Sequence, residues 1–257
     1  MEFNMKVVIS HIKNEEYLLP WWLNHHKNKF DHGVIIDYHS TDKSRDIIKE
    51  ICPSWEIVTS TQTQFGAAEV DIQVANIEKE ILNQHKGAWV IALNVTEFLI
   101  GDTSVLDSFE DNTALFVPCN HMIDSPTMEG VSANPDIPLH EQRTHGILYK
   151  TWQPGLDSIH YRGCRVFHNF PIDYCVGRHY HPNDHFDKLS ILHYAFSPYT
   201  SQLIERKLQI QHNIPQSDKD IGRGFHHFCD ETELKKRLKH YQSLATDIKD
   251  YIKRFEP

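Results

Sequence analysis

The apolar positions of this chain fall into two periods that alternate. Met5 to Ser10, Val34-Ile35-Ile36, Trp55-Glu56-Ile57-Val58 and Trp89-Val90-Ile91-Ala92-Leu93 are short, nearly continuous runs, rich in β-branched residues and of strand length. Between them the spacing changes to three and four. Tyr17, Leu18, Trp21, Trp22 and His25 form one such set, Ile47, Ile48 and Ile51 a second, and Val70, Val74, Ile77, Ile81 and Leu82 a third. Each set predicts a helix. Pro20 is tolerable in the opening turn of the first, and Gly87 stops the third before the strand that begins at Trp89. The fold class this predicts is α/β, a mostly parallel sheet of the Rossmann-like kind flanked by helices. The loops after strands one, two and four then meet at one edge, where open sheets of this kind bind ligands.

The second half is less regular. Thr113 to Cys119 predicts a further strand, whereas Asn120 to His145 is rich in Pro, Asn, Ser, Asp and His and reads as a long functional loop or a partly ordered lid. Short strand-like pieces follow at Ile147 to Lys150, Arg165-Val166-Phe167 and Leu189 to Leu192. A helix is expected over Tyr199 to His212, and another from Glu231 to Phe255, with Leu234, Leu238, Tyr241, Leu244, Ile248, Tyr251 and Phe255 on one face. Residues 1–212 are read as one domain and 213–257 as a C-terminal helical appendage packed on it.

Composition narrows the function classes. The net charge of −9 argues against a general nucleic-acid surface, which calls for concentrated Lys and Arg. No run of about eighteen apolar residues predicts a membrane span, and Met1 to Lys6 lacks the pattern of a signal peptide, so a cytosolic protein is expected, with a peripheral membrane location open. Cys52, Cys119, Cys164, Cys175 and Cys229 are scattered, without zinc or redox spacing, and are read as reduced thiols. The histidine-rich segment His179-Tyr180-His181-Pro182-Asn183-Asp184-His185 is assigned to acceptor contacts or surface chemistry rather than to zinc.

Polar breaks follow three of the strands. They are Ile12-Lys13-Asn14-Glu15-Glu16, Asp37-Tyr38-His39-Ser40-Thr41-Asp42 and Asn94-Val95-Thr96-Glu97-Phe98-Leu99. Together with the later Leu192-His193-Tyr194, followed by Ser197 and Lys207, they resemble in order and spacing the family 2 type of GT-A glycosyltransferase, in the branch with a Lys/Arg-Asn-Glu first loop. The similarity spans roughly residues 5 to 210. It implies a GT-A domain that uses a nucleoside diphosphate sugar such as a UDP- or GDP-sugar as donor, in a hexosyl or related transfer.

The resemblance assigns Lys13, Glu15, Asp37, Asn94, Thr96 and Lys207 to donor binding, and Glu97 with His193 to a metal. Asp37 is either an acceptor for a base N–H or ribose hydroxyl or the head of an Asx turn, and Asp42 is expected to cap the following helix. Glu15 either contacts the nucleoside or caps the helix after it. One departure stands out: the two positions that are acids in Asp-x-Asp enzymes are Asn94 and Thr96 here, so a hard cation finds little charge. Mn2+ or Mg2+ held by Glu97 and His193 therefore competes with metal-independent action, in which Lys207, Arg206 or Arg223 offsets the diphosphate. Gly222-Arg223-Gly224-Phe225-His226-His227 is either a loop closing over the donor or a turn between helices.

Inverting transfer needs a base for the acceptor hydroxyl, for which Asp184 and Asp187 are the first candidates, with Asp157 and Asp173 behind them. The expected activity is sugar transfer to a glycan or glycolipid hydroxyl in polysaccharide assembly. The first alternative is a catalytically inactive nucleotide-sugar-binding or scaffold subunit of a glycan-assembly complex. A nucleotidyltransferase is the second, and the sequence has no Gly-rich phosphate loop to support it.

Overall fold

Strand β1 (Lys6–Ile12) lies between β2 (His32–Asp37) and β4 (Trp89–Ala92), and β2 is flanked by β3 (Glu56–Thr59), all four in parallel. The structure is a computed structural model and describes residues 4–161, 163–174 and 177–256, so Cys175 and the N-terminal Met1 to Phe3 lie outside the described residues. Helices α1 (Leu19–His26), α2 (Ser44–Ile51) and α3 (Ala67–Gln84) fill the connections. The near-continuous apolar strands are explained by two cores. Val8, Ile12, Ile35, Trp89 and Ile91 pack with Leu19, Trp22 and Ile48 on one face, while Val7, Ile9, Val34, Ile36, Val90 and Ala92 pack with Val70 and Val74 on the other. Alternate residues of each strand thus meet opposite helix layers.

Beyond β4 the sheet becomes mixed. After β5 (Glu97–Ile100), β6 (Ala114–Ile123) runs four residues past its expected end at Cys119. The expected loop at Asn120 to His145 therefore begins as strand. It continues through turns to α4 (Leu139–Gln142) and β7 (His145–Ile147). Strand β8 (Cys164–His168) is antiparallel to both β4 and β6, and β9 (Ser190–Phe196) pairs with β6 in parallel and with β5 antiparallel. The carboxyl ends of β1, β2, β4 and β6 and the start of β8 consequently share one edge.

Helix α5 (Ser201–Asn213) begins at Thr200, whose side chain accepts from the Leu203 N–H, and is followed by α6 (Gln216–Asp220) and α7 (Glu231–Leu244). The single helix expected over Glu231 to Phe255 is broken at Ala245 by β10 (Thr246–Asp247), which pairs with β7, before α8 (Lys249–Lys253). The periodicity misleads because its two halves serve different cores. Leu234 and Leu238 join Phe196 and Leu203, whereas Ile248 and Ile252 join the main core with Met122 and Leu139. Residues 213–256 therefore contribute a strand as well as helices.

Strand β5 has an unusual outer edge. The Trp22 Nε1–H donates to the Glu97 carbonyl at 2.9 Å, the Leu99 N–H donates to His26 Nε2 at 3.1 Å, and His25 Nε2 lies 2.6 Å from the Leu99 carbonyl. Side chains of α1 thus do for this strand what a neighbouring strand would do. Cys52, Cys119, Cys164 and Cys229 are free thiols. Among the described residues no helix is long and apolar enough to cross a membrane.

Candidate functional site

The loops after β1 and β2 are laced to one another. The Asn14 N–H donates to Ser40 Oγ at 3.0 Å, the Glu15 N–H to Ser44 Oγ at 2.9 Å and the Glu16 N–H to Asp42 Oδ2 at 3.0 Å. In return the Thr41 N–H donates to Asn14 Oδ1 and the Lys43 N–H to Glu16 Oε2. Asn14 and His39 take positive φ angles of 54° and 59°, which Asn and His tolerate better than β-branched residues. Asp42 Oδ1 accepts from the Ser44 N–H at 2.9 Å at the start of α2, one residue before Lys43, which takes the N-cap position where the sequence predicts Asp42. The two polar motifs are consequently one prefolded platform.

Asp37, only 1% exposed, closes the end of β2. Its Oδ1 accepts from the Ser40 N–H, three residues on, at 2.9 Å and its Oδ2 from Arg45 Nη1 at 2.6 Å, so one oxygen orders the loop and a guanidinium faces the other. Glu15 is held by both Nε and Nη2 of Arg206 on α5. Burial pushes its carboxyl up, against the pull of Arg206. Lys13 donates to the Thr63 carbonyl. Lys207 lies on the same helix as Arg206, but its Nζ sits 3.9 Å over the Phe196 ring, and Arg223 reaches Asp218 at 3.5 Å. Gly222 and Gly224 adopt the left-handed φ angles of 73° and 71°, which shape the 222–224 turn.

The break after β4 is organised by Glu97. Its carboxylate is fully buried and accepts from Arg165 Nε at 2.9 and 3.1 Å and from Arg165 Nη2 at 2.7 Å. Oε2 also accepts from the Asn94 N–H at 2.8 Å. Arg165, from the start of β8, sends Nη1 to the carbonyls of Gly177 and Arg178 at 2.9 and 2.8 Å. Arg178 in turn lies against Asp71 of α3 through Nε at 3.2 Å, and its Nη2 is 3.4 Å from both Asn94 Oδ1 and His11 Nδ1. Burial, and then the charges of Arg178, Arg165 and Arg206, hold His11 well below the usual imidazole range, so the ring is neutral. Thr96 is buried, and its carbonyl accepts from the Tyr194 N–H.

His193 is the cross-strand partner of Glu97 on β9, and its ring lies 4.8 Å from that of His121 on β6. The Glu97 carboxylate is saturated by a guanidinium, Asn94 and Thr96 are neutral, and Asp71 and Glu15 each face an arginine. That donor set does not fit a hard divalent cation, which favours several carboxylate oxygens. Among the described residues no group of three His, Cys, Asp or Glu side chains is placed to hold a metal ion.

Asp184 and Asp187 belong to the segment between Tyr180, which bridges to Cys164, and β9. Both are exposed on the connection into β9, where the neighbouring Phe186 N–H donates to the Phe116 carbonyl near the start of β6. Ser190, three residues after Asp187, pairs with Ile100, so Asp187 lies before the start of β9, past the Ile100 end of β5 rather than its Glu97 end. Asp157 lies 2.7 Å from His240, and the Asp173 carbonyl accepts from Tyr180. The acid that does follow β6 at the site edge is Asp124, held by Ser197, the Tyr199 N–H at 2.7 Å and Arg143 at 3.2 Å. Sequence reasoning missed Arg165, Arg178, Asp71 and His11. Arg165 alone carried a signal, since a charged residue inside Cys-Arg-Val-Phe-His has to find a partner if that run is a buried strand.

Comparison with protein-family models finds no match, and comparison with curated proteins finds none. Among solved structures the chain is similar to residues 1–349 of S. aureus TarS in complex with UDP, with 14% identity, a TM-score of 0.35 and coverage of 64% of this chain and 47% of that one. It is also similar to glucosyl-3-phosphoglycerate synthase from Mycobacterium tuberculosis in complex with Mn2+, UDP and glucosyl-3-phosphoglycerate, with 15% identity, a TM-score of 0.29 and coverage of 46% and 44%. The chain spans less than half the length of either. Likeness at this level is of fold alone, and no residue role is carried across it.

Proposed function

We propose that this chain is a GT-A type glycosyltransferase, moving a sugar from a nucleoside diphosphate sugar to a glycan or glycolipid hydroxyl with inversion. The observation that carries this reading is the meeting of three motif loops at the carboxyl ends of β1, β2 and β4. Lys13 to Glu16, Asp37 to Asp42 and Asn94 to Glu97 come from separate parts of the chain, and parallel pairing puts all three on one sheet edge. The donor would lie across these ends, with its nucleoside beside the Asp37 turn and the Tyr38, Phe65 and His11 rings, which pack edge-on at 4.8 to 6.4 Å. Its diphosphate would lie towards Asn94.

Calorimetric titration with UDP and GDP, followed by an assay for release of the nucleotide from the matching sugar nucleotide, tests the reading. Saturable binding of one nucleotide and slow hydrolysis of its sugar conjugate are expected, with binding weakened about ten-fold or more in Asp37→Ala, on the scale of a lost charged hydrogen bond. Absence of binding to both nucleotides, with and without Mn2+, rejects it.

A second reading, a nucleotide-sugar-binding subunit without catalysis, is favoured by one specific observation. Asp37, Glu15, Glu97, Asp71 and Asp124 at this edge are each paired with an arginine, so the oxygens an acceptor hydroxyl would need are already engaged. Tight binding without turnover over a panel of acceptors would select it.

A further inference from the structure

Arg178 is a charged side chain that the fold encloses without satisfying. It is 3% exposed, its backbone is in the left-handed region at φ 57°, and its Nη1 has no hydrogen-bond partner among the described residues. Burying a guanidinium is costly unless its donors are paired, and an unmade bond at such a group forfeits more than an ordinary one. The chain nevertheless invests in holding it there. Arg165 fixes the carbonyls of Gly177 and Arg178, and Asp71 accepts from the Gly177 N–H at 2.9 Å while pairing with Arg178 Nε at 3.2 Å. These contacts fix the root and one side of the guanidinium. Its Nη2 is left at long distances of 3.4 Å from Asn94 Oδ1 and His11 Nδ1. A planar guanidinium with Nη1 unmatched, Nη2 weakly engaged and Nε held by an ion pair without a hydrogen bond retains the paired donors that phosphate oxygens accept.

We infer that Arg178 is the anion-binding group of this site, meeting the diphosphate of the nucleotide at the carboxyl ends of β1 and β4 in the place where a divalent cation would otherwise stand. The inference rests on the donor-binding reading above and names the residue and charge that make it work. Asn94, uncharged, can lie beside Arg178 and a phosphate without repelling the anion, whereas an aspartate there would compete for the guanidinium. Glu97 is cancelled by Arg165 and adds no net negative charge. The neutral His11 ring offers no competing cation. The same arrangement accounts for Asn94 and Thr96 standing where a cation-binding site would want acids.

The test uses the full chain and four probes, UDP, GDP, uridine and guanosine, each titrated in chelator and then with Mn2+. The expected result is that UDP or GDP binds in chelator, with an affinity that Mn2+ changes by less than about three-fold, and that inorganic pyrophosphate competes in the absence of metal. Arg178→Gln is expected to weaken the diphosphate about ten- to hundred-fold, with Arg178→Lys in between, while leaving the matching nucleoside unchanged. Pyrophosphate competition tests metal-free anion binding without a variant, and Arg178→Lys, which keeps the charge and most of the volume, assigns it to this residue even if Arg178→Gln fails to fold. Nucleotide binding that requires Mn2+, failure of pyrophosphate to compete, or equal loss of nucleoside and diphosphate in a folded Arg178→Gln protein overturns the assignment while leaving the donor reading intact. No binding of any probe in either condition overturns both.

Discussion

Arg165→Met is expected to lower the folding free energy by about 3–5 kcal/mol, the cost of leaving a buried carboxylate without its counter-charge. Glu97 has no exposure to solvent, and three of the contacts that satisfy it come from this one guanidinium. The same substitution frees the Gly177 and Arg178 carbonyls, so the loss belongs to the upper part of that range. The double replacement Glu97→Leu with Arg165→Met is expected to recover most of the stability, because two apolar side chains of similar volume need neither charge nor partner. Urea denaturation of the parent, the two single variants and the double variant closes the cycle. A single variant as stable as the parent would show that Glu97 reaches water or another cation once Arg165 is gone.

Acidification should unfold the protein earlier than its carboxylates alone would predict. Burial holds His25 down to about 3 and keeps His26 and His11 well below the ordinary value near 6.5. For His26 the geometry fixes the tautomer. Nδ1 faces the Trp22 carbonyl at 2.8 Å and carries the hydrogen, while Nε2 must stay bare to accept from the Leu99 N–H. A second proton would set two N–H groups against each other. Between the depressed folded values and 6.5 the unfolded chain binds more protons than the native one, so stability rises with pH in that window and falls as pH drops through it. Each such histidine costs about 2 kcal/mol between pH 6.5 and 5, or about 6 kcal/mol for the three together as an upper bound.

Glu15, Asp71 and Asp124 act in the opposite sense. Burial raises their carboxyls, so the native state takes up those protons first and part of the loss is offset as pH falls through the raised values. Urea midpoints measured from pH 7.5 to 5 should therefore fall below 6.5, by less than the histidines alone would give. In His25→Gln, which keeps a donor near the Leu99 carbonyl, the slope between pH 6.5 and 5 should drop by about a third. A midpoint that stays flat down to pH 5.5 would mean these imidazoles take up protons as readily in the native state as in the unfolded chain.

The N-terminal half could be read from the chain because its pattern has a single physical cause. Strands covered by helices on both faces are apolar at nearly every position, and helices that cover only one face are apolar every third or fourth. Where one run of apolar positions serves two cores, as from Leu234 to Phe255, the periodicity survives but the helix does not. The motif loops were placed correctly for a similar reason, since a parallel sheet leaves their positions no choice. What could not be read is which groups face them. Arg165 is 68 residues from Glu97, and Arg178 is 84 from Asn94, so no local spacing announces either pair. Asp184 and Asp187 show the converse. An acidic, histidine-rich segment reads as chemistry, but nothing in its composition tells which end of a strand it will occupy.

The imidazoles and indole of α1 along β5 also bear on how the protein keeps company with itself. An open strand edge is a template for another chain, and proteins blunt such edges to avoid edge-to-edge aggregation. Here the Glu97 carbonyl and both polar groups of Leu99 are already occupied by Trp22, His25 and His26. The main sheet path ends in β3, four residues with Glu56 and Thr59 exposed, and in β10, two exposed residues. The ten strands among the described residues thus offer an incoming strand little to add to.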